Sequence, residues 1–344
     1  MAKNDIVGFI GGKFLPLHLG HVHAISSAAR KVDELYVVLT SSKKRDRELC
    51  KRDRIKYIPA DIRLSWIGAA IKDIKNAKVI HVEDEWGDKD YDWNKGARMI
   101  KRAIGKQIDF VFSSETKYEK HFSKNYPEAK HKVLDSERKR FRISATQIRK
   151  DPYRNWSMLP EYVRPFFTKK IAIVGTESCG KTTLAKKLAK FYNTNFVPEI
   201  GRDYCNRYSN QLTPQMFGHI AMEHYLLQIR ASEKSNKLLF IDSEAVITQY
   251  YLDMYFNGNK SPLIEEIIKL QDYDLVLFLE PDVKWVDDGL RFAGDDETRI
   301  KNNGKLKKMF DERNIHYKTI DGDYSERFLK ARKHIDGLFR GEEK

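Results

Sequence analysis

The sequence has no apolar run approaching the roughly twenty residues needed to cross a membrane, and it opens without the apolar core and cleavage site of a secretory signal. Its only cysteines, Cys50, Cys179 and Cys205, are too few and too scattered for a disulfide framework or a structural zinc site. Internal repeats and low-complexity segments are also lacking. These absences exclude the membrane-spanning and disulfide-stapled classes and predict a soluble protein of the reducing cytoplasm.

The length and composition indicate two domains. A chain of 344 residues with 41% hydrophobic residues is long for one hydrophobic core and can bury two. Residues 151–168 contain Pro152, Pro160 and Pro165 and interrupt an otherwise regular alternation of strand and helix patterns. We therefore expect an α/β protein with two doubly wound parallel-sheet domains, residues 1–160 and 161–344.

The formal net charge of +14 is concentrated in the first half of the chain. Residues 1–168 carry 35 Lys and Arg against 22 Asp and Glu, whereas the remainder is nearly neutral. The excess clusters at residues 43–47, 51–54 and 138–142. A solvated surface, attraction of polyphosphates and binding of nucleic acid all remain open, although no nucleic-acid-reading module is recognised.

Residues 175–182 read Gly-Thr-Glu-Ser-Cys-Gly-Lys-Thr and match the P-loop pattern in full. An apolar run precedes the match and a helical apolar pattern follows it, which is the strand-loop-helix setting that a phosphate cradle requires. In such a loop Lys181 supplies a positive charge, and the Thr182 hydroxyl can ligate Mg²⁺. The ATP-binding residues predicted here are Gly175, Gly180, Lys181, Thr182 and Thr183.

A second anion site is predicted near the start of the chain. An apolar run at residues 6–10 is followed by Gly-Gly-Lys-Phe-Leu-Pro-Leu-His-Leu-Gly-His, a helical pattern and another apolar run at 34–40. This is a βαβ unit with His18 and His21 at its first strand-to-helix junction. Two imidazoles at the positive end of a helix can donate hydrogen bonds to phosphate oxygens.

These residues resemble a known superfamily. Residues 12–21 are similar to the nucleotidyltransferase motif GxFxPxHxGH, and residues 143–149 are similar to that superfamily's second motif, of the ISxTxxR type. Ser144 and Thr146 offer hydroxyls near a helix start, and Arg149 offers a bidentate fork for phosphate. The resemblance implies ATP-dependent nucleotidyl transfer. The ATP-binding residues it implies are Gly12, Lys13, Phe14, His18, His21, Ser144, Thr146 and Arg149.

Between the two motifs the alternation continues, with helices predicted at 60–74 and ending at 99–104, and strands at 79–82 and 110–112. Arg63 is expected to point into the site. The polar loop 83–93 carries Trp86 and Trp93, and the resemblance to adenylyltransferases for nicotinamide mononucleotide implies that one of them stacks on the pyridine ring. Trp93 is the preferred candidate, with plain surface packing as the alternative for either.

The second half continues with strands at 195–197, 238–241, 274–279 and 317–320 and a long helix at 213–235, which predicts a five-stranded parallel sheet of the kinase type. Asp242 follows an apolar strand, as the usual acidic partner of a P-loop does. It can hold Mg²⁺ through water or take the acceptor's proton, and a helix N-cap is the alternative.

Two further segments are assigned to this second site. Glu199, Arg202 and Asp203 follow the second strand, where small-molecule P-loop kinases bind their acceptor. The segment 287–291, followed by Arg299, resembles a mobile lid whose arginines neutralise the transferring phosphoryl group. The string 285–291 is similar to the ribosylnicotinamide kinase domain of NadR-type proteins. That similarity implies that Trp285 stacks on nicotinamide, and the resemblance to a lid implies that Arg291 and Arg299 contact ATP.

Together the two halves resemble the bifunctional NadR family over nearly the whole chain. The resemblance implies a Rossmann-like nucleotidyltransferase domain followed by a P-loop kinase domain, with ATP and Mg²⁺ as cofactors. Ribosylnicotinamide would be phosphorylated to nicotinamide mononucleotide, which would be adenylylated to NAD. The catalytic residues expected are His18, His21, Lys181, Asp242 and Arg291. Partners are expected to be small molecules, with a homo-oligomer left open.

Two other functions also remain open. A fused pantetheine-phosphate adenylyltransferase and dephospho-coenzyme A kinase pairs the same folds, and only the Trp-bearing segment 285–291 favours nicotinamide. A nucleotide-sensing regulator that binds nucleic acid would suit the basic first half. Regulatory NadR members carry an N-terminal helix-turn-helix, whereas here the first predicted strand begins within a few residues of the start, so DNA repression is not expected.

Overall fold

The computed structural model describes residues 5–87, 91–135, 140–283 and 296–340. The chain divides into two compact units, residues 1–164 and 165–344, and each is built on its own five-stranded sheet.

The sheet of the first unit is parallel throughout. Its strands are β1 (Val7–Gly12), β2 (Glu34–Ser41), β3 (Ala77–Glu83), β4 (Phe110–Ser113) and β5 (Lys130–Val133), in the order β3-β2-β1-β4-β5. The direction of winding reverses between β1 and β4. In open α/β sheets ligands bind outside the carboxyl ends of the strands at such a reversal.

Helices cover both faces of this sheet. They are α1 (Leu19–Ala29), α2 (Lys43–Arg52), α3 (Ala60–Ile71), α4 (Trp93–Ile104), α5 (Glu119–Asn125) and α6 (Ala145–Lys150), with short 3₁₀ turns at Thr116–Tyr118 and Trp156–Met158. Phe9, Val38 and Val111 of the sheet pack against Ala97 and Ile100 of α4. The short helix α7 (Arg164–Phe167) follows at the division between the units.

The sheet of the second unit is also parallel. Its strands are β6 (Lys169–Val174), β7 (Asn195–Val197), β8 (Leu238–Asp242), β9 (Leu275–Leu279) and β10 (Lys318–Ile320), in the order β10-β9-β6-β8-β7. The central strand β6 carries the P-loop at its carboxyl end, between β8 and β9. The winding again reverses at the first strand of the unit.

The helices of the second unit are α8 (Lys181–Phe191), α9 (Gly201–Arg207), α10 (Pro214–Glu233), α11 (Ala245–Tyr255), α12 (Pro262–Leu270), α13 (Asp296–Asp311) and α14 (Tyr324–Arg340). Alternate residues of β6 point to opposite faces of the sheet and pack into two different hydrophobic clusters. Ile171 and Ile173 pack with Leu188 of α8, whereas Ala172 packs with Val246 of α11. This two-sided burial is why β6 reads as a continuous apolar run.

The predicted fold class is confirmed: two doubly wound parallel sheets follow one another along the chain. Three elements of the first unit were not predicted, the strand β5 and the helices α2 and α5. The strand β5, of sequence Lys-His-Lys-Val, has no apolar run, and helix α2 lies in the basic runs for which no secondary structure was predicted. The predicted helix 60–74 ends at Ile71. No helix in the described ranges is both long enough and apolar enough to span a membrane.

Candidate active sites

A cavity of about 690 Å³ lies at the carboxyl ends of β1 and β4 in the first unit. The chain therefore places this cavity where the sheet topology calls for a ligand. Nine residues predicted for the adenylyltransferase site line it: Gly12, Lys13, Phe14, His18, His21, Trp93, Ser144, Thr146 and Arg149.

The two histidines lie side by side at the start of α1. His18 is the N-cap, and its Nδ1 accepts a hydrogen bond from the backbone N–H of His21 at 3.4 Å. The two rings stack with centroids 3.7 Å apart. A Cβ on residue 20 would lie 3.0 Å from the His18 ring, so Gly20 makes room for this arrangement. Paired imidazoles at a helix N-terminus suit the binding of phosphate oxygens.

The loop between β1 and α1 is held from behind by Arg63. Its Nη1 donates to the Lys13 carbonyl at 2.8 Å and its Nη2 to Asp46 at 2.6 Å, and the side chain is fully buried. Arg63 is not among the residues that line the cavity, so the expectation that it points into the site needs correction. Pairing with Asp46 turns its guanidinium toward the loop backbone, where Phe14 adopts a strained φ of 44°.

Arg149 lines the cavity, but its guanidinium group is already hydrogen-bonded to other residues of the protein. Its Nη1 donates to the Leu15 carbonyl at 2.6 Å, Nε to Asp53 at 2.6 Å and Nη2 to Thr146 at 3.1 Å. Burial raises the pKa of Asp53, but its ion pairs with Arg52 and Arg149 outweigh this, and the pKa lies below its ordinary value. Ser144 caps α6 by accepting from the Gln147 N–H. Arg149 thus holds the histidine loop as well as bordering the ligand space.

The two tryptophans of the 83–93 loop are placed differently. Trp93 begins α4, lines the cavity and stacks on His121 with ring centroids 4.2 Å apart. Trp86 is not among the lining residues, and its backbone carbonyl accepts from the Ser42 hydroxyl at 2.8 Å. The geometry therefore favours Trp93 for stacking on a ligand.

Arg45 is a cavity residue that sequence reasoning missed. It lies on α2 with 1% of its surface exposed, and its Nη1 donates to both carboxylate oxygens of Asp84, at 3.0 and 3.1 Å. In the sequence it belongs to a basic run that reads as solvated surface. The available signal was the helical spacing of Arg45 and Asp46 with Leu49 and Cys50, which together form the buried face of α2.

A cavity of about 390 Å³ lies beside the P-loop in the second unit. Six predicted residues line it: Gly180, Lys181, Thr182, Thr183, Glu199 and Arg202. The lining residues that sequence reasoning did not identify include His224, Glu244, Tyr251 and Tyr255.

The backbone conformation of the P-loop requires glycine at two positions. Gly175 has φ of 143°, and a Cβ there would lie 2.7 Å from the Leu279 carbonyl. Gly180 has φ of 85° and is the N-cap of α8. Lys181 is buried and donates from Nζ to the Thr176 carbonyl at 2.8 Å. Burial lowers the pKa of Lys181, but the charges around it, Cys179 and Glu199 foremost, outweigh burial and raise the pKa overall. The lysine stays charged for phosphate binding.

Arg327 of α14 holds the P-loop in place. Its guanidinium donates to the carbonyls of Cys179, Glu280 and Gly322. The side chain is almost completely buried. It thereby joins the P-loop to the carboxyl ends of β9 and β10, a connection with no local sequence signal.

Asp242 ends β8 next to the P-loop. Its Oδ2 accepts from the Thr182 hydroxyl at 2.5 Å, and its buried Oδ1 has no hydrogen-bond partner in the described part of the chain. Burial, followed by the charge of Glu199, raises the pKa of Asp242 to about 6. No group of three or more His, Cys, Asp or Glu in the described ranges could hold a metal ion. The hydroxyl and the open carboxylate oxygen fit Mg²⁺, which takes few protein ligands and completes its shell with phosphates and water.

The acceptor and lid residues fall into three groups. Glu199 and Arg202 line the cavity, whereas Asp203 is exposed on α9 and does not, so its assignment to the site needs correction; the turn of α9 directs it to solvent. Arg299 is buried, donates to the Val283 carbonyl at 3.0 Å and lines a separate 250 Å³ cavity. Trp285 and Arg291 lie outside the described residues.

Two family models match the chain. The Cytidylyltransferase-like model matches residues 9–151, and the AAA domain model matches residues 170–327. Each match therefore falls on one of the two units and contains its candidate site.

The chain is 34% identical over 344 residues to the trifunctional NAD biosynthesis/regulator protein NadR of Escherichia coli (strain K12), covering 96% of this chain and 82% of the relative. The corresponding protein of Salmonella typhimurium is 34% identical over 340 residues, covering 94% and 81%. The chain belongs to the NadR family.

Two solved NadR structures have the same fold as this NadR-family chain. One is a complex with NR, with a TM-score of 0.82 and 23% identity, and the other is a complex with NAD and AMP-PNP, with a TM-score of 0.81 and 22% identity. Each comparison covers 98% of this chain and 97% of the solved chain.

Proposed function

We propose that this NadR-family chain makes NAD in two steps. Ribosylnicotinamide is phosphorylated by ATP to nicotinamide mononucleotide, and the mononucleotide is adenylylated by a second ATP to NAD and pyrophosphate. The observation that carries the proposal is the pair of phosphate-type cavities, one on each unit, in a chain 34% identical to relatives named for NAD biosynthesis. We assign adenylylation to residues 1–160 and phosphorylation to residues 161–344.

In the phosphorylation step, the 5′-hydroxyl oxygen of ribosylnicotinamide forms a bond to the γ-phosphorus of ATP, and the bond to the β–γ bridging oxygen breaks to release ADP. Lys181 and the P-loop N–H groups hold the phosphates. Glu199 lines the cavity and Asp242 bonds the Thr182 hydroxyl beside it, and the raised pKa of Asp242, about 6, suits a proton acceptor near neutral pH.

Mg²⁺ is the metal we propose for this step. Thr182 and Asp242 would hold it, and when bound it neutralises charge on the phosphates of ATP. The open Oδ1 of Asp242 is the atom left for it or for a water in its shell.

In the adenylylation step, a phosphate oxygen of nicotinamide mononucleotide bonds to the α-phosphorus of ATP, and pyrophosphate leaves. Because the nucleophile is already an anion, the site must align two polyanions and neutralise their charge rather than remove a proton. His18, His21 and Lys13 provide donors beside the cavity. Trp93 is the side chain we assign to the pyridine ring, which is cationic and stacks favourably on indole.

The partners implied are the small molecules of these two reactions, and we place the protein in the cytoplasm, as its sparse cysteines predict. Neither step calls for a nucleic acid.

The test uses the whole chain with ribosylnicotinamide, ATP and Mg²⁺, and products are separated by chromatography over time. Nicotinamide mononucleotide should appear first and then decline as NAD accumulates. At completion one ADP and one pyrophosphate should have formed per NAD. Dephospho-coenzyme A offered in place of ribosylnicotinamide should give no product, and its phosphorylation would overturn the assignment.

A further inference from the structure

The exposed face of α2 carries a cluster of positive charge at the mouth of the cavity of the first unit. The helix directly follows the carboxyl end of β2, and its buried face contributes Arg45 and Leu49 to the cavity lining. Arg52 also lines the cavity, although 56% of its side chain is exposed, so it lies at the rim where the cavity meets solvent. The exposed residues of α2 are five cations and one acid: Lys43, Lys44, Arg47, Lys51, Arg52 and Glu48.

The buried charges of α2 are balanced within the protein. Arg45 pairs with Asp84 at 3.0 Å, and its Nε lies 3.6 Å from Asp46. Asp46 in turn pairs with Arg63 at 2.6 Å. Two buried arginines thus face two buried aspartates, and their charges cancel. The electrostatic field outside the helix therefore comes from its exposed side chains.

The exposed cations of α2 largely lack such compensation. Arg52 pairs with Asp53 at 3.1 Å. The other four form no ion pair with any residue in the part of the chain that the structure describes, and we call them the α2 surface: Lys43, Lys44, Arg47 and Lys51. Apart from the nearby acid Glu48, the charge of this surface is therefore open to solvent.

The α2 surface is close enough to the cavity mouth for its charges to act there together. A helix of this length spans about 15 Å, so along its axis each of these cations lies within about that distance of Arg52 at the rim. The Debye length is about 8 Å at physiological ionic strength and about 30 Å at about 0.01 M. A cleft bordered by charge of one sign raises the local concentration and the association rate of ligands of the opposite sign.

We propose that the α2 surface attracts polyphosphates, ATP foremost, to the cavity of the first unit. Its four cations are not among the residues that line this cavity, so they act on the approaching nucleotide through their field rather than by contact in the bound state. ATP carries more negative charge than the mononucleotide and gains more from this field. The inference rests on the proposed adenylylation by the first unit.

A matched pair of triple variants separates the position of the charge from its amount. The α2 variant replaces three lysines by a residue of similar helix propensity: Lys43→Gln, Lys44→Gln and Lys51→Gln. The control variant removes the same charge from three exposed lysines that precede β2 and β3: Lys31→Gln, Lys72→Gln and Lys75→Gln. These control positions lie at the amino edge of the sheet, and the seven residues of β3 span about 23 Å from that edge to the cavity side.

The assay measures adenylylation of nicotinamide mononucleotide at varied ATP and at two ionic strengths. At about 0.02 M, kcat/KM for ATP should be on the order of 5-fold lower in the α2 variant than in the control variant, because the field is weakly screened. At about 0.5 M the two variants should agree. The kcat at saturating substrates should be the same in both, and the KM for the mononucleotide should rise less than the KM for ATP.

Equal kcat/KM values for the two variants at low ionic strength would overturn the proposal, since the effect would then belong to net charge alone. A loss in the α2 variant that persists at about 0.5 M would overturn it too, because salt does not repair a packing defect. If the wild-type chain does not adenylylate the mononucleotide, the proposed function falls and this inference falls with it. A working wild-type enzyme with equal variants removes only the inference.

A fluorescently labelled DNA duplex distinguishes nucleic acid from ATP as the ligand of the α2 surface. Anisotropy at physiological ionic strength should show no difference in duplex binding among the wild-type chain and the two variants. Duplex binding that is lost only in the α2 variant, with kcat/KM for ATP unchanged from the control variant, would assign the surface to nucleic acid and overturn the proposal.

Discussion

At the scale of single residues, buried arginines hold the loops that border both cavities. Arg63 donates to the Lys13 carbonyl, Arg149 to the Leu15 carbonyl and Arg327 to the Cys179 carbonyl. A planar guanidinium can serve several carbonyl and carboxylate oxygens at fixed angles, which a lysine ammonium cannot. Arg63 and Arg327 fix loop backbone without lining a cavity, whereas Arg149 both fixes the loop and lines the first cavity.

Arg327→Lys should impair ATP binding by the second unit. The ammonium cannot reach all three carbonyls that Arg327 serves, so the P-loop loses its fixed position, and the KM for ATP in ribosylnicotinamide phosphorylation should rise by about tenfold. Conversion of supplied nicotinamide mononucleotide to NAD should not change. Arg332→Lys is the control, because Arg332 lies on the same helix but stacks over Phe191. Similar KM values in the two variants would contradict a clamping role.

Trp93→Ala should raise the KM for nicotinamide mononucleotide in adenylylation by about tenfold, as expected for ~1–2 kcal/mol of stacking of a cationic ring on indole. Trp86→Ala is the matched control from the same loop and should have little effect, since Trp86 does not line the cavity. Steady-state kinetics at saturating ATP would measure both. A larger effect in Trp86→Ala would reverse the assignment.

At the scale of elements, the helices that begin at the cavities have N-cap residues of different chemical types. His18 caps α1 and Ser144 caps α6 in the first unit. In the second unit Glu244 caps α11 by accepting from the Val246 and Ile247 N–H groups at 2.9 and 3.1 Å. Glu244 is almost completely buried, and that burial raises the pKa of its carboxyl group to about 7. The element therefore begins at a carboxyl group that titrates near neutral pH.

Glu244→Gln should stabilise the second unit more at pH 8 than at pH 5. Because the folded-state pKa of Glu244 is raised from 4.5 to about 7, the folded state binds the proton more tightly, and the wild-type chain loses stability as pH rises through that window. Glutamine does not ionise, so the variant does not lose stability in this way. The difference in unfolding free energy between variant and wild type should grow by on the order of 2–3 kcal/mol from pH 5 to pH 8.

Urea unfolding read out by pulse proteolysis of the second unit would measure this difference. Subtracting the wild-type curve removes the opposite contributions of Asp242, whose pKa is raised, and His224, whose pKa is lowered. Glu266→Gln, on the exposed face of α12, should show no such change between the two pH values. A pH-independent difference for Glu244→Gln would mean that this carboxyl group does not titrate in the window.

At the scale of the whole molecule, two parallel sheets with different strand orders each carry a cavity at the carboxyl ends of their strands. The family models divide along the same line, with one match in each unit. If each cavity is a complete site, loss of one activity should leave the other intact.

Lys181→Ala should abolish phosphorylation of ribosylnicotinamide, because it removes the charge beside the β- and γ-phosphates, while conversion of supplied mononucleotide to NAD stays nearly intact. His21→Ala should do the reverse and accumulate the mononucleotide. Each loss should be at least ~10²-fold, as removal of a transition-state donor commonly costs. Chromatography of the products measures both steps in one reaction.

Mixing the two variants should restore NAD formation through free mononucleotide. The single variants, assayed at the same total protein concentration, are the controls. A folded variant that has lost both activities would refute the division into two sites.

Local sequence patterns determined the fold class, the P-loop and the paired histidines. Each is a strand-loop-helix unit whose apolar run, glycines and polar residues are contiguous, so the backbone path follows from neighbours along the chain. Nine predicted residues lie at the first cavity and six at the second, and some of them, such as Trp93, were predicted from the family resemblance.

Tertiary structure alone decided which side chains face those cavities. Arg149 bonds Asp53 across 96 residues, and Arg327 bonds Cys179 across 148. Arg63 turns away from its cavity to pair with Asp46, while Arg45 and His224 turn toward theirs. The sequence does not carry these choices locally, because a buried charge or imidazole points to wherever distant parts of the chain supply its hydrogen-bond partners.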